Sequence, residues 1–255
     1  MASVNSRRLV MAVVAAIGIP ALAAGCGSSS STSTSASASQ PVVLAAASLT
    51  KVFPKLAANA RYSFGGSGAL ETDIEQGAPA DVFAAASPKQ PAALYAKGLV
   101  DKPVEFATNT LVLIVPKSNP AQITAVDQIT KPGVKLVICN ASVPCGDYVR
   151  TAFANLGITA AAMKNVVSQT TDVTQTVADV ALGQADAGFV YITDARAASG
   201  KVLVIRLPAK AKPGARDFIA VVKSGKDQAA ARAFVATVLS ARGQATLAAA
   251  GFGKP

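Results

Sequence analysis

Short apolar segments alternate with amphipathic segments from residue 41 to the end of the chain. The apolar segments have the length and composition of buried strands, and the amphipathic ones repeat their apolar positions at helical spacing. The pattern predicts strands at residues 42–47, 61–64, 81–85, 110–116, 134–139, 187–191, 202–207 and 218–222. It predicts one helix that starts at Ser48 and others at residues 69–76, 91–97, 147–156, 172–182, 194–198 and 228–250. This order predicts an α/β protein with parallel sheets and helices on both faces.

Small or hydroxyl-bearing residues recur where a predicted strand passes into a predicted helix. They are Ser48, the run Gly66-Ser67-Gly68, the pair Cys145-Gly146 and the pair Thr170-Thr171. The start of a helix carries N–H groups without intrahelical partners and the positive end of the helix dipole. Several such starts in one cleft would bind an anion without any charged side chain. Each joint alone is explained more simply by helix capping, for which Ser and Gly are common.

The N-terminal segment has the pattern of an export signal followed by a tether. A basic segment precedes an apolar stretch at residues 9–24, which is typical of a secretory signal peptide and too short for a convincing membrane span. The stretch ends in Leu-Ala-Ala-Gly-Cys, which resembles a bacterial lipobox. We therefore expect residues 1–25 to be a lipoprotein signal peptide, Cys26 to be lipidated, and the Ser-rich residues 26–40 to form a flexible tether. The alternative is an ordinary signal peptide with an incidental Cys.

These features predict a protein held at the outer face of the cytoplasmic membrane, in the periplasm or cell envelope, by its lipid alone. In that oxidising location a disulfide between Cys139 and Cys145 is favoured, and two buried thiols are the alternative. The pair makes a poor metal site because the chain has no His, and the Cys-x-x-Cys redox spacing is absent. We therefore expect no directly coordinated metal.

Composition excludes several classes of function. The 255 residues include no His, so a Ser-His-Asp triad, a Cys-His dyad and an HExxH zinc site are all absent. Aromatic residues make up 5% of the chain, too few for the stacking platforms of single-stranded nucleic-acid binders, so we expect no nucleic-acid partner. The net charge of +10 makes an anion the first candidate for a partner.

Seven short motifs in the correct order resemble the periplasmic molybdate-binding proteins of ABC-type molybdate importers. They are AAASLT at residues 45–50, SFGGSGAL at 63–70, GAPADVF at 77–83, NTLV at 109–112, VPCG at 143–146, TDV at 171–173 and GFVY at 188–191. The resemblance implies a two-lobed α/β fold, the type II periplasmic-binding-protein fold. Each lobe would be a mostly parallel sheet flanked by helices, with the ligand in the cleft between the lobes. Lobe 1 would comprise residues 41–109 and about 216–255, and lobe 2 about residues 110–215.

The resemblance also implies that uncharged donors hold the oxyanion. These donors would be the hydroxyl and N–H groups of Ser48 and Ser67, the N–H groups of Cys145 and Val173, and the phenol of Tyr191. The expected ligand is molybdate or tungstate. A monomer without cofactor or enzymatic activity would deliver it to the permease of an ABC importer.

Two features depart from the commoner family pattern. Gly66 and Gly68 flank Ser67 where the family more often has Ser, so fewer hydroxyls are available although the backbone donors remain. Cys145 replaces a plain small residue, and only its N–H group is required. A bridge to Cys139 would also stiffen the loop that carries this donor.

Three other functions stay open on the residues alone. The same fold could bind another oxyanion, such as sulfate, or a small carboxylate. A carboxylate binder would need an Arg in the cleft, and the nearest candidate, Arg150, falls inside a predicted helix. Ser48 and Lys51 match the S-x-x-K motif of acyl-serine enzymes, and Lys223-Ser224-Gly225 resembles their late K-T-G element. No S-x-N triplet lies between them, so we expect no enzyme.

Overall fold

The computed structural model describes residues 40–212 and 214–255. The expected signal peptide at residues 1–25, the expected lipidation site Cys26 and all but the last residue of the expected tether lie outside the described residues. Within the described ranges, no helix combines the length and the apolar composition that crossing a membrane requires.

Strands and helices alternate along the described chain. The strands are β1 (Val42–Ala46), β2 (Arg61–Gly65), β3 (Val82–Ala85), β4 (Val104–Pro116), β5 (Leu136–Cys139), β6 (Val166–Thr170), β7 (Ala187–Tyr191), β8 (Val202–Arg206) and β9 (Gly214–Val221). The α-helices are α1 (Phe53–Leu56), α2 (Ser67–Glu75), α3 (Lys89–Ala96), α4 (Pro144–Leu156), α5 (Thr159–Lys164), α6 (Val173–Ala181), α7 (Ile192–Ala197), α8 (Gln228–Leu239) and α9 (Ala241–Ala250). Short 3₁₀ helices lie at Ala47–Leu49, Val126–Thr130 and Ala209–Ala211.

The strands form one mixed sheet with the order β2-β1-β3-β9-β4-β7-β5-β6, and β8 pairs with β4. Strand β1 runs parallel to β2 and β3, and strand β5 runs parallel to β6 and β7. We call β1–β3 with their helices the first half and β5–β7 with their helices the second half. Strands β4 and β9 join the halves and are antiparallel to each other and to their other partners. The predicted α/β fold is confirmed.

Strand β4 is the longest connection between the two halves. Its first part, from Val104 to Thr110, pairs with β9, and its second part, from Leu111 to Pro116, pairs with β7 and β8. The second part is continuously buried and was predictable from its apolar run. The first part includes exposed and half-buried positions, so hydrophobicity did not reveal that the strand begins six residues before the predicted start.

The first predicted helix is wrong in one respect, because Ser48 does not begin an α-helix. Proline has no N–H group and fits only the first turn of a helix. Helix α1 therefore begins at Phe53, directly before Pro54, and Ser48 lies in the 3₁₀ helix that follows β1.

Two elements were missed and one predicted helix is divided. Strand β6 is an edge strand with three exposed residues, so its pattern lacked the apolar run of a buried strand. Helix α5 has only six residues. The helix predicted at 228–250 breaks at Ser240, whose Oγ accepts a hydrogen bond of 3.0 Å from the Gly243 N–H group and caps α9.

The C-terminal helices pack against the first half through aromatic rings. Phe53 of α1 lies 5.8 Å from the ring of Phe106 in β4 and 5.5 Å from the ring of Phe234 in α8, measured between centroids. All three rings are buried. The chain thus returns along β9 to complete the half in which it began.

The disulfide between Cys139 and Cys145 is confirmed, with the two Cα atoms 5.7 Å apart. It joins the end of β5 to the first turn of α4, and only six positions separate the two residues. A covalent link over so short a segment restricts the loop between them. The start of α4 is therefore held at the end of its preceding strand.

Candidate functional site

A cavity of about 20 Å³ lies between the two halves and brings together all five predicted site residues. They are Ser48, Ser67, Cys145, Val173 and Tyr191, and each is at most 7% exposed. The volume is slightly above the smallest that holds one water molecule, and far below the ~300–1,000 Å³ of sites for organic ligands. Their joint placement is an observation, whereas their role in holding a ligand remains a prediction.

The first half places two hydroxyl residues at the cavity. Ser48 follows β1 in the 3₁₀ helix, and Ser67 is the first residue of α2. The Ala86 N–H group, just after β3, donates a hydrogen bond of 3.2 Å to Ser67 Oγ. Because this oxygen acts as an acceptor there, its own proton remains available for donation. The contact also fixes the side chain against the end of a buried strand.

The second half places the starts of two helices, α4 and α6, at the cavity. Pro144 has no N–H group, so the Cys145 N–H group is the first that α4 presents. Val173 is the first residue of α6, and its N–H group has no acceptor within that helix. Asp172, rather than the predicted Thr170 or Thr171, caps α6. Its Oδ1 accepts hydrogen bonds from the backbone N–H groups of Thr174 and Gln175, at 2.7 and 3.1 Å.

Two buried hydroxyls at the cavity have no hydrogen-bond partner among the described residues. They are Ser48 Oγ and Tyr191 Oη. Burial, and next the charge of Asp217, raise the pKa of Tyr191 well above its usual 10, so the phenol keeps its proton and can donate. An unpaired buried polar group costs about 1–3 kcal/mol. Two of them facing one cavity indicate a ligand that accepts hydrogen bonds.

The cavity is lined without any Lys or Arg side chain in the described part of the chain. Asp172 is its one charged lining residue, and the helix N–H groups already engage Oδ1 of that carboxylate. The positive ends of α2, α4 and α6 supply the electrostatic attraction instead. The arrangement suits a small anion that offers acceptors on several sides.

A larger cavity, of about 650 Å³, adjoins the small one through Ala47 and Ser48 and extends along α6 and α7. Its walls include the apolar side chains of Val177 and Leu182. Lys51 lines it as well, but Ser48 Oγ has no hydrogen-bond partner, so the lysine does not activate that hydroxyl. Both unpaired hydroxyl residues line the small cavity, whereas Ser48 but not Tyr191 lines the larger one.

Two acidic residues close to Tyr191 were missed as functional candidates. Asp194, in the first turn of α7, accepts a hydrogen bond of 3.0 Å from the Tyr191 N–H group, and burial raises its pKa to about 7. Its position three residues after Tyr191 is a capping-box signal. Asp217 of β9 is fully buried and neither of its carboxyl oxygens has a partner. Burial, and next the charges of Asp194 and Glu105, raise its pKa well above 3.8.

No group of three or more His, Cys, Asp or Glu residues that could hold a metal ion occurs in ranges 40–212 and 214–255. The expectation that no metal is coordinated directly stays a prediction.

A family model for bacterial extracellular solute-binding proteins matches residues 34–253. The chain belongs to this family. Among solute-binding relatives, the molybdate-binding protein ModA of Mycobacterium tuberculosis is 38% identical over 224 residues, which are 84% of each chain. The periplasmic molybdate-binding protein of Azotobacter vinelandii matches 85% of this chain and 100% of its own, with a TM-score of 0.74 at 25% identity.

A second solved structure, that of the sulfate-binding protein SubI of Mycobacterium tuberculosis, matches 84% of this chain and 86% of its own. Its TM-score is 0.71 at 19% identity, so this likeness shows the fold alone. The two-lobed fold expected from the sequence is confirmed by these matches. Members of this family are extracellular solute-binding proteins of bacteria.

The raised pKa of Asp217 predicts a stability that depends on pH. The unfolded chain releases this proton near pH 4 whereas the folded protein retains it, so the free energy of unfolding falls as the pH rises from about 4 toward the folded-state pKa. Asp217→Asn removes this dependence. The variant should be more stable than the wild type at pH 8, with a difference that shrinks toward pH 4.

Thermal unfolding of both proteins across this pH range measures the effect, and the difference between them isolates Asp217 from Asp194. If Asp217→Asn is less stable than the wild type at every pH, the conclusion that burial raises the pKa of Asp217 is wrong.

Proposed function

We propose that this protein binds molybdate, or the similar tungstate, and delivers it to the permease of an ABC importer. The observation that carries the proposal is the convergence of two unpaired buried hydroxyls, Ser48 Oγ and Tyr191 Oη, on one small cavity. Helices α2, α4 and α6 begin at the same cavity, so their first N–H groups lie beside it. The curated relative named as a molybdate-binding protein supports the identity of the anion.

The chemistry of the donors matches this ligand. Molybdate is a tetrahedral dianion, fully deprotonated at neutral pH, and therefore only accepts hydrogen bonds. Hydrogen bonds to charged acceptors contribute about 1.5–3 kcal/mol each. Phosphate keeps a proton near pH 7 and requires an acceptor, whereas Oδ1 of Asp172, the nearest carboxylate, is occupied by the N–H groups of α6. A site in which donors outnumber its one lining carboxylate favours the fully deprotonated anion.

Small carboxylates are disfavoured because Arg150, the candidate for a carboxylate-binding residue, donates its hydrogen bonds to other protein groups. Arg150 Nη1 donates to the carbonyl oxygens of Cys139 and Gly146, both at 3.1 Å, and Nη2 donates to Gln169 Oε1 at 2.7 Å. The side chain is thus committed to the loop of the disulfide. Sulfate is the serious competitor because it has the same charge and a smaller radius, and the size of the closed cavity must discriminate against it.

We assign lobe 1 to residues 41–109 and about 216–255, and lobe 2 to about residues 110–215. The five binding residues are then divided between the lobes, with Ser48 and Ser67 on the first and the other three on the second. An anion bound by both lobes stabilises the closed arrangement, since it contacts all five donors only there.

The remaining features complete the transport role. Export by the signal peptide and lipidation of Cys26 would hold the monomer at the outer face of the membrane, with residues 26–40 as a tether that allows it to reach the permease. No cofactor or enzymatic step is required, because the anion is bound and released unchanged.

The proposal predicts selective stabilisation by the larger oxyanions. Sodium molybdate or tungstate should raise the melting temperature of the purified protein by more than a few degrees, because ligand bound to the folded state alone shifts unfolding by mass action. Sulfate and phosphate at equal concentration should do little. Calorimetric titration with the same four anions gives the affinities, and equal stabilisation by sulfate or phosphate would rule out molybdate as the preferred ligand.

Removal of the unpaired hydroxyls should weaken binding without harming the ligand-free protein. In Ser48→Ala and Tyr191→Phe, the loss of one hydrogen bond to a dianion should raise the Kd for molybdate roughly 10- to 150-fold. The ligand-free melting temperature should stay equal or rise, because neither hydroxyl has a protein partner to lose.

Tyr148→Phe is the matched control for the aromatic variant. The Tyr148 ring packs against Tyr191 with centroids 6.3 Å apart, but its hydroxyl accepts from the Arg216 N–H group and does not line the cavity. This variant should leave the affinity nearly unchanged. Similar Kd values for the two phenylalanine variants would remove Tyr191 from the site.

A further inference from the structure

Two glycines beside Ser67 lie where the second half of the molecule approaches the first. A Cβ atom built on Gly66 would collide with the Thr171 carbonyl oxygen and would lie 2.5 Å from Val143 Cγ1. One built on Gly68 would collide with the Ser142 carbonyl oxygen. Real Cβ atoms essentially never come within 3.0 Å of another group in this way, so neither position admits a side chain here.

The atoms that exclude a side chain belong to the opposite half of the molecule. Ser142 and Val143 precede α4, and Thr171 lies between β6 and α6. Two of the three contacts are backbone carbonyl oxygens, which cannot turn away as the end of a flexible side chain can. A methyl group at either glycine would therefore fit only after the halves had moved apart.

Backbone conformation does not explain why these positions are glycine. Gly66 has φ −67° and ψ 131°, an extended conformation open to any residue, and Gly68 lies inside α2. Neither has the positive φ at which glycine is favoured. Glycine in a helix is less stable than alanine by about 0.5–1 kcal/mol. Gly66 is also the N-cap residue of α2, a position at which Gly is common. The close approach of the other half is therefore the remaining physical reason for Gly68 and an additional one for Gly66.

The approach acts directly on the spacing of the donors. Ser67 stands between the two glycines. In the other half, Cys145 comes two residues after Val143 and Val173 comes two residues after Thr171, and both Val143 and Thr171 lie against Gly66. Any separation at this contact lengthens the distance between donors on the two sides of the cavity. Hydrogen bonds weaken steeply beyond about 3.2 Å, so a bound anion could not contact both sets at once.

We propose that Gly66 and Gly68 form a glycine seat, the surface on which the second half rests when the cleft closes, and that it sets the affinity for the oxyanion. This proposal rests on the proposed function. Gly66 and Gly68 stand where the family more often has Ser. In this chain the site therefore has fewer side-chain donors, and the absence of side chains lets the two halves approach more closely. The glycines are positioning residues, since they act through the donors beside them.

The seat makes a prediction in which stability and affinity change in opposite directions. Gly68→Ala should leave the ligand-free protein equally stable or more stable, because alanine favours α2 and the halves can rest apart. The same variant should raise the Kd for molybdate roughly tenfold or more, the equivalent of losing one charge-assisted hydrogen bond. Gly66→Ala should weaken binding similarly.

Gly214→Ala is the matched control, because Gly214 lies in β9 and does not line the small cavity. A Cβ atom there would have no neighbour within 4 Å among the described residues. Small-angle scattering with and without the anion adds a readout of closure. The wild type and Gly214→Ala should become more compact on binding, and Gly68→Ala should remain more extended.

The possible results separate the seat from the identity of the ligand. Molybdate binding by Gly68→Ala at wild-type affinity, or an affinity loss shared by Gly214→Ala, would overturn the seat and leave the proposed function intact. If the wild type binds only sulfate or phosphate, the proposed function fails, and the seat is judged by the same comparison with that anion. If the wild type binds none of the four oxyanions, both proposals fall.

Discussion

The hydroxyl residues Ser48 and Tyr191 and the first residues of α4 and α6 line one buried cavity, and neither hydroxyl has a hydrogen-bond partner among the described residues. Buried donors without partners destabilise a folded chain, and so their collection at one point needs a compensating ligand. A dianion that only accepts hydrogen bonds satisfies every one of them. Neutral donors also avoid the desolvation cost that a buried lysine or arginine would add.

The rest of the fold serves to hold these donors at a fixed separation. The parallel strands of each half lead into helices that begin at the cleft, and β4 and β9 are the two strands that join the halves. The disulfide holds the start of α4 against β5, while the contact from Ala86 holds Ser67 against the end of β3. The glycine seat then limits how far apart the two sets of donors lie.

The sequence predicted most of this arrangement wherever burial is continuous. Strand β7 ends at Tyr191 as its apolar run indicated, and all five predicted site residues meet at one cavity. It failed where the structure depends on distant partners. The edge strand β6 is too exposed to show an apolar run, and the burial of Asp217 follows only from how β9 packs. From the sequence, Gly66 and Gly68 indicate only that two serine hydroxyls are absent. The neighbouring residues do not reveal that the backbone of Ser142 and Thr171 approaches these glycines.

The central claim is that the small cavity, and not the larger one beside it, holds the anion through uncharged donors. Anomalous scattering at the molybdenum edge, from a crystal grown with sodium molybdate, locates the metal atom directly. The account predicts one strong peak surrounded by Ser48, Ser67, Cys145, Val173 and Tyr191. A peak in the larger cavity beside Lys51 and Lys201, with the small cavity empty, would contradict it.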